Sequence, residues 1–230
     1  MRHFVVCLVL GLCLSATAPA SVIFNNGLPN QASSDFLAST ITADDFFVPA
    51  ATLLTGFEFW DVEDNANGAY NGSITWLLYT DLAGTPGSII AQGNASTAGQ
   101  ITRTQNIGVT CCNTFNEFDN IVNLTASLTS GSLSVSTGTY WLGLYDGPLA
   151  NTDFQDFYWE TTANNTSAFG QLQDQTISNA GWVSALQEHA FNISGTTTAP
   201  AVPEPSTWWL SLGPAGLAMM VRKCGYRRTR

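Results

Sequence analysis

The chain has 230 residues and a formal net charge of −10, and the acidic residues are concentrated away from its ends. Between Ser21 and Val202, the single basic residue Arg103 stands against sixteen Asp and Glu residues, a net charge of −15. A field of this sign repels phosphate backbones and anionic lipid, so the composition excludes nucleic acid as a partner and favours solubility and divalent cations.

The N-terminus has the layout of a secretory signal peptide. Arg2 and His3 precede an apolar run at residues 4–14, and the small residues Ala18 and Ala20 flank Pro19. This order of a basic, an apolar and a small-residue region predicts export, with cleavage after Ala20. Residues 1–20 are therefore predicted to be removed from the exported protein.

The body of the chain, residues 21–195, is predicted to be all-β. None of its segments keeps a 3.6-residue apolar period, whereas many alternate apolar and polar residues between Gly, Asn, Asp and Pro. Phe57 and Phe59, for example, share one face of a predicted strand. Strands are predicted at residues 41–48, 51–60, 73–80, 88–92, 101–109, 117–124, 139–145, 156–161 and near 191–194, with a tight link at residues 81–87. About nine or ten strands in one domain predict a two-sheet β-sandwich of jelly-roll type.

An acidic stretch after the second of these strands suggests calcium. Oxygen-bearing side chains follow one another in a predicted loop, as hard cations require: Asp61, Glu63, Asp64, Asn65 and Asn67. The stretch is not an EF-hand, because Ala66 occupies the position that needs Gly and no Glu closes the loop. A structural calcium ion and a solvated acidic loop are the two interpretations.

Cys111 and Cys112 are the only cysteines of the body and are adjacent. Their Cα atoms are about 3.8 Å apart across a trans peptide, which is below the usual disulfide range. In an oxidising compartment the alternatives are a strained vicinal disulfide, bonds between molecules, or two thiols kept reduced by burial. A vicinal ring would also present a stiff apolar plate to a ligand.

Five tryptophans lie in the body. Trp76 and Trp141 occur in dense apolar strands and are predicted to be core residues. Trp60, Trp159 and Trp182 border polar segments and are candidates for stacking on sugar rings. Exposed indoles of this kind would make the body a carbohydrate-binding module.

Catalytic patterns are scarce. His189 is the only histidine of the body, and no nucleophile elbow or phosphate-binding loop occurs. A glycoside hydrolase would need two carboxylates facing each other across a groove, and candidates are available: Glu58, Asp61, Glu63, Asp153, Asp156 and Glu160. We therefore expect a non-catalytic protein with no cofactor beyond a structural calcium ion, and a glycoside hydrolase is the alternative.

Residues 196–201 are predicted to be a linker, and residues 202–230 a sorting segment. Pro203, Glu204 and Pro205 precede an apolar run at residues 207–221 that begins near Trp208 and Trp209. Fifteen helical residues span about 22 Å, short of the roughly 30 Å hydrocarbon core, so the helix would anchor only marginally. The basic residues Arg222, Lys223, Arg227, Arg228 and Arg230 follow and favour the cytoplasmic side of a membrane.

This order of a Pro-Glu-Pro box, a short hydrophobic helix and an Arg-rich end resembles the PEP-CTERM sorting signal. The resemblance implies a Gram-negative bacterium, a transient stay at the inner membrane, and removal of the segment by an exosortase. It also implies delivery to the cell surface or into an exopolysaccharide matrix. The turn at residues 81–87 and the segments at residues 42–49, 138–142 and 189–195 resemble bodies often found ahead of this signal. That second resemblance supports the fold and implies no reaction.

Overall fold

The computed structural model describes residues 20–63, 69–111, 115–128, 132–149, 156–163, 168–174 and 180–197. This part of the chain is mostly β-strand with almost no helix, as predicted, and each predicted strand segment overlaps an observed strand. The strands are β1 Ser21–Asn25, β2 Ser34–Phe36, β3 Thr40–Val48, β4 Thr52–Glu63, β5 Ile74–Asp81, β6 Pro86–Ala95, β7 Ile101–Cys111, β8 Phe115–Asn123, β9 Leu133–Val135, β10 Gly138–Asp146, β11 Phe157–Glu160, β12 Gln171–Asp174, β13 Val183–Ser184 and β14 Phe191–Thr197; one short helix, α1, is Leu124–Ser127. Within the described ranges, no helix has both the length and the apolar character needed to span a bilayer.

The strands form two antiparallel sheets. Sheet A contains the order β1-β14-β4-β11-β2, with β8 and β9 also paired to β4 and β7 paired to β8. Sheet B has the order β13-β12-β3-β10-β5-β6. The long strand β4 organises sheet A, because β14 and β11 share one of its edges while β9 and β8 share the other.

The main apolar core lies between the two sheets. Phe57 and Phe59 of β4 belong to the same buried cluster as Phe46 of β3, Trp76 of β5 and Leu142 of β10. The alternation of apolar residues along β4 therefore directs one face of sheet A onto sheet B, which is the arrangement of a β-sandwich. Burial of Trp76 confirms its predicted place in the core.

A second, smaller apolar cluster covers the opposite face of sheet B. It contains Trp141, Tyr79 and Ile41, and the half-buried Trp182 packs against it. The rings of Tyr79 and Trp182 meet edge to face, with their centroids 5.4 Å apart. Trp141 is fully buried, as predicted, but in this outer cluster rather than between the sheets.

The predicted tight link between β5 and β6 is confirmed. Ala83 and Gly84 take positive φ angles of 53° and 84°, which Gly adopts without steric cost. The Gly84 amide donates to Asp81 Oδ1 at 3.1 Å, and the Trp141 indole donates to the same oxygen at 2.9 Å. Asp81 thus ties the turn to the neighbouring strand β10.

Candidate functional site

The acidic residues predicted to form a calcium loop begin inside a strand. Asp61 and Glu63 lie in β4, on the face that carries Phe57 and Phe59, so the prediction that these two residues lie in a loop is wrong. Both oxygens of Asp61 accept from Arg103 Nη2 at 2.9 Å, and Glu63 lies 3.6 Å from the same nitrogen. The remaining candidates Asp64, Asn65 and Asn67 lie outside the described residues.

Arg103 is enclosed at this position. Its guanidinium lies 4.1 Å from the ring centroid of Tyr70 and 4.4 Å from that of Phe118, distances typical of cation–π contacts. Burial raises the pKa of Asp61 to about 7, although the charge and hydrogen bonds of Arg103 oppose that rise. Arg103 is thus an internal counterion for Asp61 and Glu63.

His189 lies between two aspartates. Its Nδ1 is 3.0 Å from Asp44 Oδ2 and its Nε2 is 2.9 Å from Asp35 Oδ2, and the ring is fully buried against Trp159. Burial by itself lowers the pKa of His189, but the hydrogen bonds and charges of the two aspartates outweigh it and raise the pKa to about 9. The two aspartates therefore favour the imidazolium form of the ring, which makes His189 a second internal cation of the β-sandwich, while burial raises the pKa of Asp44.

Carboxylates next to His189 have a spacing that suits a divalent cation. One oxygen each from Asp44, Asp45 and Glu188 can be chosen so that all three lie within 4.8 Å of one another, and all three residues are buried. Asn26 Nδ2 donates to Glu188 Oε2 at 3.3 Å. Because Asp44 accepts from both the backbone and the ring of His189, part of the negative charge in this cluster is already compensated.

A third polar cluster lies on the outer face of sheet A, the face turned away from sheet B. It consists of Glu58, Asp119, Glu117 and Glu160, here called the carboxylate row. Glu58 lies between the core residues Phe57 and Phe59 of β4 and therefore points to the other face. In the β4–β8 pairing, Asp119 is opposite Trp60 and Glu117 is opposite Val62, so both share the face of Glu58. Glu160 of β11 follows the core residue Trp159 and also lies on this face. Strand pairing therefore places the four carboxylates on one face of three adjacent strands.

The carboxylate row consists of two pairs in hydrogen-bonding contact, Glu58 with Asp119 and Glu117 with Glu160. Burial, then the charge and hydrogen bond of Glu117, raise the pKa of Glu160 to about 8, while the backbone amide of Gln31 weakly opposes this rise. Burial, then Glu58, raise the pKa of Asp119 to about 6. The row therefore holds protons at a pH where exposed carboxylates have lost theirs.

Several oxygens of this face are enclosed without a geometrically sound hydrogen bond. They are Glu117 Oε2, Asp119 Oδ1, both carboxylate oxygens of Glu160, and Oδ1 of the neighbouring Asn192. Glu160 is fully buried and Glu117 is 5% exposed. Unsatisfied polar atoms in such positions are rare in native proteins and require an explanation.

An open groove of about 490 Å³ adjoins one end of the row. Glu58, Ile121, Asn123 and Ser194 are among the residues that line it, and Ile121 is 53% exposed. The groove combines an apolar side chain with hydrogen-bonding groups, a composition that suits a small polar ligand.

The three candidate sugar-stacking tryptophans are placed differently. Trp159 is fully buried in the main core and donates its indole hydrogen to Ala190 O at 2.9 Å, so its prediction as a stacking residue is wrong. Trp60 is 7% exposed on the outer face of sheet A, which leaves no open ring face for a sugar. Trp182 is half-buried over sheet B and keeps part of its surface exposed.

Other predicted features lie at or beyond the limits of the described residues. Strand β7 ends at Cys111, and Cys112 lies outside the described part, so the vicinal disulfide stays a prediction. The same holds for the signal peptide, except its last residue, and for the Pro203-Glu204-Pro205 box, the apolar run and the basic tail.

Sequence reasoning missed the His189 cluster and the pairing of Glu117 with Glu160. A signal for the second was present, because Glu117 and Asp119 are two residues apart in a strand and therefore share a face.

Comparisons with protein-family models, curated proteins and solved structures find no match for this chain.

Proposed function

We propose that this chain is an exported Gram-negative protein with a jelly-roll-like body that a C-terminal PEP-CTERM signal delivers to the cell surface or the exopolysaccharide matrix. The observation that carries the proposal is the order of a Pro-Glu-Pro box, a fifteen-residue apolar run and an Arg-rich end within residues 202–230. Export would begin with the signal peptide at residues 1–20, and an exosortase would then remove the C-terminal segment at the inner membrane.

The body fits a structural or adhesive role that involves no reaction. Its only arginine is engaged by Asp61, and its histidine is held between Asp35 and Asp44. Both cationic side chains thus serve as internal counterions. Glu117 and Glu160, which lie in hydrogen-bonding contact, are both buried.

Sorting is tested by expressing the full chain in a Gram-negative host that carries an exosortase. Replacing Glu204 by Gln, or deleting residues 222–230, is expected to leave unprocessed protein in the membrane fraction, whereas Lys223→Arg keeps the charge and serves as the control. Intact-mass measurement of the released protein reports both termini. Release of the Glu204→Gln variant with the same mass as the unmodified protein would contradict the proposal.

Carbohydrate binding is the second candidate, favoured by the groove beside Glu58. We expect Ile121→Ala to weaken binding on a polysaccharide array, because Ile121 supplies exposed apolar surface in that groove. Ile107→Ala is the control, since Ile107 is 91% exposed and lies outside the groove. No binding to any polysaccharide, or equal binding by both variants, would remove this candidate.

A further inference from the structure

We infer that the carboxylate row binds one calcium ion, held chiefly by the paired carboxylates of Glu117 and Glu160. This inference is independent of how the chain is sorted. It rests on enclosed oxygens of the row that lack a geometrically sound hydrogen bond, and on the position of Arg103, the only Lys or Arg of the body, which is bound to Asp61 instead.

The first step concerns the kind of group that these oxygens lack. Every unsatisfied atom of this face is an acceptor, and they come from four residues: Glu117, Asp119, Glu160 and Asn192. Such acceptors are satisfied by a hydrogen-bond donor or by a cation. The amide nitrogen of Asn192 donates to Glu58 Oε2 at 2.7 Å, and the oxygens named above remain unsatisfied.

The second step concerns charge. Arg103 is the only Lys or Arg between Ser21 and Val202, and it lies on the inner face of sheet A, bound to Asp61. Bound water can donate hydrogen bonds, but it leaves a buried negative charge uncompensated. An ion from solution would displace the proton that Glu117 and Glu160 share at neutral pH, and it would supply both the compensating charge and the partners that these oxygens lack.

The third step concerns size and chemistry. Because the unsatisfied oxygens are enclosed, a sugar ring cannot reach them, whereas a single ion can be inserted between the side chains. Calcium accepts six to eight oxygen ligands in irregular geometry and binds carboxylates in mono- or bidentate fashion, while magnesium demands a near-ideal octahedron. The groove that includes Glu58 in its lining adjoins the Glu58 end of the row.

The cluster of Asp44, Asp45 and Glu188 is the competing position. Its oxygens are closer together as a set of three, but Asp44 is bound to the ring and the backbone amide of His189. The protein thus supplies an internal cation there, and it supplies none to Glu117 and Glu160.

The test uses the purified full-length chain after removal of divalent ions with EDTA. Calcium chloride at about 100 times the dissociation constant is expected to raise the Tm by about 5 °C or more, with a stoichiometry of one ion by calorimetry. Magnesium chloride at equal ionic strength is expected to give a much smaller shift. No calcium-dependent shift, or an equal shift with magnesium, would overturn the inference.

Matched variants locate the ion. Glu117→Gln combined with Glu160→Gln is expected to abolish the calcium shift, whereas Asp45→Asn combined with Glu188→Gln at the competing cluster is expected to retain it. The reverse result would overturn the assignment. If the first double variant does not fold, each of its single substitutions is expected to weaken calcium binding at least tenfold, and unchanged affinity in both would contradict the site.

Discussion

Arg103 places a single guanidinium nitrogen 2.9 Å from both carboxylate oxygens of Asp61. To do so it crosses β8, where its Nε donates to Asn120 Oδ1 at 2.8 Å. The contact joins β7 to β4 across the intervening strand, and aromatic rings cover the guanidinium. Arg103 thus compensates the negative charge of Asp61 and Glu63 at this end of the main core.

Replacing Arg103 by Ala is expected to destabilise the protein by about 3–5 kcal/mol, because Asp61 and Glu63 would then be buried without a countercharge. The free energy of unfolding in urea measures the effect. Gln105→Ala, at an exposed position of the same strand, is the control and should cost less than about 0.5 kcal/mol. Adding Asp61→Asn to Arg103→Ala should recover part of the loss, and a loss below about 1 kcal/mol for Arg103→Ala alone would show that the pair is not a stabilising one.

His189 is expected to make stability depend on alkaline pH. Since its folded-state pKa is raised to about 9 from the usual 6.5, its contribution is fully present below pH 6.5 and is lost as the pH rises through 9. Over this window the free energy of unfolding should fall by up to about 1.4 kcal/mol per pH unit.

Urea unfolding between pH 6 and pH 9.5 tests this dependence, and NMR of the His189 ring protons gives the pKa directly. His189→Gln should remove the slope above about pH 8 and reduce it between pH 6.5 and 8, where Glu160 also titrates. A ring that titrates near pH 6.5 would contradict the internal imidazolium.

Glu160 is expected to produce a slope of the same sign at lower pH. Its folded-state pKa of about 8 exceeds the usual 4.5, so between these values the folded state binds more protons than the unfolded state. The free energy of unfolding should therefore fall as the pH rises from about 5 to 8 when EDTA is present.

Glu160→Gln should flatten this slope and raise the stability at pH 8, because the buried position no longer carries an ionisable group. Tyr158→Phe, on the same strand and face, is the control, since a phenol does not titrate in this range. Denaturant unfolding at pH 5, 6.5 and 8 provides the measurement. Parallel pH profiles for Glu160→Gln and the unmodified chain would contradict the burial of an ionisable pair.

Gly93 is expected to tolerate no side chain. A Cβ at this position would lie 2.6 Å from Trp76 Cζ2 and 2.8 Å from the carbonyl oxygen of Ser127, and the Trp76 indole is anchored by its bond to Ser127 Oγ at 3.0 Å. Gly93→Ala should cost about 1–3 kcal/mol through overpacking. Gly181→Ala is the control, because no atom lies within 4 Å of its Cβ position; equal stability of the two variants by thermal unfolding would contradict the close contact.

The positions of the long strands could be predicted because alternation is a local property of the chain. Phe57 and Phe59 had to share a face, and that face had to be covered. The short strands β2 and β13 could not be predicted, since two or three residues carry too little pattern.

The candidate site was harder to predict because alternation defines two faces of a strand without stating what covers the second. Trp159 and Trp182 both border polar residues in sequence, yet one is in the core and the other is partly exposed. Asp61 and Glu63 lie on the same inward face of β4 as Phe57 and Phe59. Because both are acidic, the sequence pattern predicted a loop at these positions and not a continuation of the strand.

The amino-acid sequence by itself determined the strand periodicity, the excess of acid, and the supply of only one arginine to the body. Only the tertiary structure decided which acids meet. Glu117 and Glu160 are 43 positions apart and come together because β8 and β11 pair with opposite edges of β4. The raised pKa of Glu160 follows from its burial and from that pairing. The free-energy cost of a buried charge depends on the groups that surround it in space and not on its neighbours along the chain.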